Sequence, residues 1–179
     1  MNIESLVFID ECSVNCSMTR LYGRSIGKER VNEYVPDVRF ERTSIISSIR
    51  LDGDSSPIIF KGTLNGNLFK QYVAECLAPT LKKGDIVILD NLSSHKVVGA
   101  LDPVTAKGAS SMFLPPYSPD LNPIEGSWSK MKSMLRQLKP RTFDELVLAL
   151  KIALESFELS DIKGWFKNCG YLEAKSINN

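Results

Sequence analysis

The feature that most restricts this chain is a run of four apolar residues, Ile86-Val87-Ile88-Leu89, that stops at once in Asp90-Asn91. A strand with one wet face alternates apolar and polar side chains, whereas a strand covered on both faces reads as an unbroken apolar run. Residues 86–89 are therefore expected inside a sheet with helices packed on either side. A second β-rich run, Ser5-Leu6-Val7-Phe8-Ile9, ends the same way in Asp10-Glu11. Burying a carboxylate at the end of such a strand is costly unless its charge is compensated. If the two strands are neighbours, Asp10 and Asp90 converge at one edge of the sheet. Like charges that close repel unless a cation or proton sits between them.

The remaining pattern fits a mixed central sheet flanked by helices, an α/β arrangement. Met18–Gly23 alternates weakly and reads as a strand, Thr43–Leu51 as a stronger one closed by Asp52-Gly53-Asp54, and Pro57–Phe60 as a short edge piece. Leu68, Phe69, Tyr72, Val73, Cys76 and Leu77 make a helical stripe that ends before Pro79. A weak helix is expected over 94–107 and a short strand over 111–114. The tract Pro115-Pro116-Tyr117-Ser118-Pro119-Asp120 is neither, because prolines remove donors and fix φ. Ile124, Trp128, Met131, Leu135 and Leu138 then mark one helix, with Trp128 in the core. Phe143 to Phe157, opened by a Thr142/Glu145 capping box, mark another, and a short amphipathic piece follows at 162–166. With no repeats and no linker, residues 1–179 are expected to form one domain.

Composition excludes several classes. An apolar share of 43% and a charged share of 24% are those of a soluble globular domain, and no apolar run approaches the ~20 residues of a membrane span. The N-terminus lacks the basic segment of a signal peptide, so a cytoplasmic, nucleoid-associated protein is expected. Cys12 and Cys16 are spaced C-x3-C, but no second pair or histidine completes a zinc site, and all four cysteines read as free thiols. Net charge is only +1, so contact with nucleic acid must come from local clusters. Two exist: Arg20, Arg24, Lys28 and Arg30, and Lys130, Lys132, Arg136, Lys139 and Arg141. They read either as phosphate contacts or as solvated faces.

A third acid is open to two readings. Asn122-Pro123-Ile124-Glu125 has the form of an N-cap, a proline at the first helical position and a Glu at N3 that reaches back to the cap. On the helical wheel, however, Glu125, Ser129, Lys132 and Arg136 run along one rim of the apolar face, where a metal ligand belongs. Mg²⁺ suits such a site, since it takes one or two carboxylates and accepts phosphate oxygens as further ligands. His95, the only histidine, and Asn91 lie beside Asp90 and are candidates to orient it. Strand alternation turns Glu11 to the face opposite Asp10, and Asp120 reads as a turn former.

The segments Phe8-Ile9-Asp10-Glu11, Met18–Arg24, Leu89–Lys96 and Leu114-Pro115-Pro116-Tyr117-Ser118-Pro119-Asp120-Leu121-Asn122-Pro123-Ile124-Glu125 resemble the catalytic domain of bacterial insertion-sequence transposases of the mariner-type superfamily. The resemblance runs from about residue 6 to 172. It implies a ribonuclease H-like fold and maps an Asp-Asp-Glu triad onto Asp10, Asp90 and Glu125, with 34 residues between the last two. It further implies two Mg²⁺ ions (Mn²⁺ substituting), cleavage and strand transfer on DNA at element ends and target, and a homodimer, while Arg20, Arg24, Lys132 and Arg136 of the basic clusters are the candidate DNA contacts. The rivals are a nuclease of the same fold without strand joining, and an inactive remnant acting only by DNA binding or assembly. Three features depart from the family. Nothing before Asp10 supplies the helix-turn-helix region that reads element ends, as expected of a truncated, frameshifted or fragmentary copy. Pro103 is expected to kink or stop a helix, and Gly126 to weaken one. Both are also marks of a decaying copy.

Overall fold

The two apolar runs do become neighbouring strands, and the sheet is built outward from them. The computed structural model describes residues 2–27, 29–32, 34, 36 and 41–172. Strand β1 (Leu6–Val14) lies at the centre of a five-stranded sheet of order β3-β2-β1-β4-β5, with β2 at Thr43–Ile49, β3 at Ile58–Lys61, β4 at Ile86–Leu89 and β5 at Ser110–Phe113. β1 pairs antiparallel with β2 and parallel with β4, and β4 pairs parallel with β5, so the sheet is mixed.

Both faces are covered, as the unbroken apolar strands require. Leu6, Phe8, Cys12 and Val14 enter a core with α3 (Ile124–Leu138), α4 (Phe143–Glu155) and α5 (Leu159–Asn168). Val7 and Ile9, the alternate residues, enter a second core with α1 (Gly66–Tyr72), its wider continuation through Leu77, and α2 (Asp102–Ala106). At the far end of the sheet from the acids, buried Arg50 and Asp85 pair at 2.5 Å.

Several local expectations are corrected. β1 does not stop at Asp10 but runs on to Val14, because β2 pairs with it from Phe8↔Ile49 to Val14↔Thr43 and the sheet face buries Cys12 and Val14. Met18–Gly23 is not a strand. It has no ladder partner, and the carbonyls of Cys16 and Met18 instead accept from Arg141 Nη1 at 2.8 and 3.1 Å. The helix expected over 94–107 is divided into a 3₁₀ turn, Ser93–Lys96, and the short α2. Pro103 sits in the first turn of α2, where a missing N–H costs nothing. It starts a helix rather than kinking one.

Gly126 also has a structural reason. A Cβ there would lie 2.9 Å from Trp165 Nε1 and closer still to Cγ and Cδ1. The missing side chain lets the Trp165 ring of α5 rest on the first turn of α3. Each residue thus has a place in the fold.

Candidate active site

Asp10 and Asp90 are brought together by strand register. β1 and β4 pair at Leu6↔Ile86, Val7↔Val87 and Phe8↔Ile88, and the same register continued by two residues sets Asp10 beside Asp90. Asp10 is buried on the α3 face of the sheet. Its Oδ1 accepts from the Glu11 amide at 2.8 Å, and its Oδ2 accepts from the Trp128 indole N–H at 3.1 Å. Asp90 follows the last residue of β4 and is partly open.

Glu125 comes from α3, and the structure does not form the helix cap that was one of its two readings. The helix begins at Ile124 with no side-chain cap. The Asn122 amide donates to the Pro119 carbonyl at 3.0 Å, and Asn122 Oδ1 is buried without a partner among the described residues. The expected capping box is therefore absent, and the Glu125 carboxylate is exposed. Asp10, Asp90 and Glu125 all line one cleft of about 590 Å³, with Asn91, Leu92, Lys96, Asn122 and the 114–119 loop as its other walls.

The electrostatics of the cleft are those of crowded acids. Burial, then the charge of Glu125 and more weakly that of Asp90, push the Asp10 carboxyl up to about 7, although the Glu11 amide and the Trp128 indole pull the other way. Burial raises Asp90 as well. There the His95 ring, the Leu92 amide and the Lys96 charge outweigh it and hold that carboxyl below its usual value. The neighbouring negative charges that raise Asp10 are ones that an added positive charge would offset. Three carboxylates are hard oxygen donors, the set that fits Mg²⁺ or Mn²⁺. Among the described residues, no three His, Cys, Asp or Glu side chains are already closed around one point, and Asp90 Oδ1 is turned to His95.

His95 is fully buried in the 3₁₀ turn after β4. Its Nδ1 lies 2.7 Å from Asp90 Oδ1, and its ring packs on Phe69 with centroids 4.5 Å apart. Among the described residues neither ring nitrogen makes a hydrogen bond of good geometry, so Nδ1 meets Asp90 as a close contact and Nε2 has no partner. Asn91 ties the ends of two strands together, its Nδ2 donating to the Leu114 carbonyl at 2.7 Å. Trp128 belongs to the core, as its spacing suggested, but it also reaches Asp10. The signal was its position three residues after Glu125, which puts both on one helix face.

The basic clusters sort unequally. Arg20 and Arg136 meet in an open pocket of about 420 Å³ with Tyr22, Ser133 and Gln137. Arg24 is exposed. Lys132 is half-buried against Cys12. Lys130 is committed to Asp161 at 2.5 Å, and Arg141 to the carbonyls of Cys16 and Met18. Lys28 lies outside the described residues.

A mixed sheet covered on both faces, with acids from its central strand, the adjoining strand and a helix, defines a ribonuclease H-like domain. The chain matches the family model of the DDE superfamily endonucleases over residues 5–147 and belongs to that family. Its fold is similar to the pre-cleavage Mos1 transpososome (TM-score 0.73, 14% identity, 94% of this chain and 56% of that one). It is similar too to the Mos1 mariner paired-end complex with Mn (0.70, 15%, 94% and 56%) and to the catalytic domain of Mos1 mariner transposase (0.67, 14%, 94% and 79%). The chain spans just over half the length of the transposase in the first two complexes. A search of the curated proteins finds no match. No helix among the described residues is long and apolar enough to cross a membrane.

Proposed function

We propose that this chain is a transposase catalytic domain whose cleft, through Asp10, Asp90 and Glu125, cuts DNA and then joins strands. The observation that carries the reading is the meeting of these three acids on one cleft, with Asp10 driven to about 7 by burial and by the other two. The three carboxylates would hold two Mg²⁺ ions, with Mn²⁺ able to replace them. Bound there, such ions supply charge stabilisation of the attacking and leaving oxygens and lower the pKa of water. The chain's own residues do the positioning. Trp128 and the Glu11 amide fix both oxygens of Asp10, His95 fixes one oxygen of Asp90, and Asn91 locks the ends of β4 and β5 together. The burial of Asp10 keeps water away from one side of the site.

Arg20 and Arg136, with Arg24 and Lys132 nearby in sequence, are proposed to hold the phosphate backbone beyond the cleft. Similar structures include a Mos1 transposase paired-end complex with left transposon end, which supports DNA as the partner, and a homodimer is proposed as the working assembly. Such a protein would act in the cytoplasm at the nucleoid.

The test is cleavage of duplex DNA with Mg²⁺, with Mn²⁺ and with chelator, wild type beside Asp10→Ala, Asp90→Ala and Glu125→Ala. Metal-dependent cutting by wild type alone, with the variants folded, is expected. Full activity in all three variants overturns the triad. Pre-cut ends that are never joined reduce the activity to that of a nuclease. Failure to bind Mn²⁺ at stoichiometric level makes the chain an inactive remnant.

A further inference from the structure

A second recess lies behind the acid cleft, on the other side of the first turn of α3. It has a volume of about 250 Å³ and is walled by Ile49 of β2, Ile124 and Trp128 of α3, Phe157, and Ile162 of α5. It shares no lining residue with the cleft. The turn after β2 sits close on α5 at its mouth: Gly53 has a φ of 94°, and a Cβ there would lie 3.3 Å from both Leu159 and Ile162. Two buried polar side chains, Ser47 and Ser127, reach this largely apolar space. Each hydroxyl already donates its one proton to a backbone carbonyl, Ser127 Oγ to Ile124 at 2.6 Å and Ser47 Oγ to Ser48 at 3.1 Å. What they still offer is acceptor lone pairs.

We propose that this recess binds a small neutral planar molecule, one aromatic ring or two fused ones, carrying a single N–H or O–H donor. An apolar cavity of roughly 150 Å³ takes benzene, so the larger space here holds a fused pair of rings. A charged ligand is disfavoured, because burial among Ile124, Trp128 and Ile162 would strip its hydration. A ring against those apolar side chains, with its one donor on the serine pair, leaves no polar group of the ligand unpaired. The site stands apart from the DNA-cutting reading of the cleft but touches its supports. Trp128 holds Asp10 Oδ2, Ser47 is the cross-strand partner of Asp10, and Ile124 precedes Glu125. An occupant therefore sits against the groups that place two of the three acids.

The probe is indole, with benzofuran as the near-isostere that lacks the donor. The chain has two tryptophans, Trp128 in the recess wall and Trp165, whose ring centroid is 5.2 Å from that of Phe157. Isotope-labelled protein thus gives two indole N–H signals, assigned with Trp165→Phe. Indole should shift the Trp128 signal saturably, with a Kd on the order of 1 mM or below, and should raise Tm as it saturates. Benzofuran should bind roughly 5-fold or more weakly. Ser47→Ala with Ser127→Ala should bring the two ligands level. Leu154→Phe, which fills the recess from α4, should abolish the shift. No saturable shift up to the solubility limit of indole overturns the proposal. So does indole binding Leu154→Phe as well as it binds wild type, since that places it elsewhere. Benzofuran matching indole on wild type, or a preference for indole that survives loss of both hydroxyls, overturns it too. The serine variants keep the test standing if Leu154→Phe does not fold. None of these readings depends on DNA cleavage, so failure of the cutting activity is told apart from failure of this site.

Discussion

Gly126→Ala sets two physical effects against each other. Alanine is a better helix former than glycine by at most about 1 kcal/mol, so a helix considered alone would gain. In the folded chain the new methyl meets the Trp165 ring at well under van der Waals distance. That ring cannot easily retreat. It packs edge-on against Phe157 at 5.2 Å, and α5 is held by the Lys130–Asp161 pair and by buried Ile162 and Phe166. Overpacking of this kind costs about 1–3 kcal/mol, so the net effect is a loss of up to about 2 kcal/mol. For a chain of this size that lowers Tm by up to about 8 °C. Removing the ring should reverse the sign: in a Trp165→Ala background, Gly126→Ala should stabilise by up to about 1 kcal/mol. Urea unfolding of the four proteins in the cycle measures this directly. Equal stabilisation in both backgrounds would refute the claim that Trp165 is the reason for a glycine at 126.

Two further outcomes are expected. With metal removed by chelator, Asp10 titrates at about 7 in the folded chain against 3.8 as its ordinary value; between those values the folded state holds the extra proton, so stability should fall as pH rises from about 4 to about 7. The loss is at most about 4 kcal/mol, and Asp10→Asn should remove that slope in denaturation at pH 4.5 and 7; a slope identical in the two proteins would place its cause elsewhere. Arg20→Ala with Arg136→Ala should flatten the dependence of log affinity for duplex DNA on log salt by about 2 if both touch phosphate, and an anisotropy titration between roughly 50 and 200 mM salt that shows an unchanged slope would remove them from the DNA path.

What the sequence showed and what it hid differ by the range of the interaction. The strand at 86–89, the stripe at 68–77 and the helices carrying Trp128 and Leu146 were legible, since each is set by local periodicity. β1 was cut short because Asp10 and Glu11 look like a boundary, while the alternation of Cys12 and Val14 that continues the strand becomes meaningful only with β2 alongside. Met18–Gly23 alternates as a strand would but meets no partner, and a ladder is a tertiary property. Glu125 was ambiguous for a sound reason. Asn-Pro-x-Glu can cap a helix, and only the bond from the Asn122 amide to Pro119 shows that it does not. Gly126 looked like a defect because helix propensity is local and the Trp165 ring that explains it arrives from about 40 residues later.

The contact between Trp165 and the first turn of α3 makes the cleft a two-part assembly. Asp10 and Asp90 are cast into the sheet and keep their spacing for as long as the strands pair. Glu125 is delivered by a helix whose height above the sheet is gauged by an indole from α5 on one side and by the Trp128–Asp10 bond on the other. Undocking α5 would bare the Phe8 ring of the central strand, which packs on Phe166, and would remove the indole on which the turn carrying Glu125 rests. A chain cleaved after Ser156 would thus lose the support beneath the first turn of α3, through a cut made in the connection between α4 and α5.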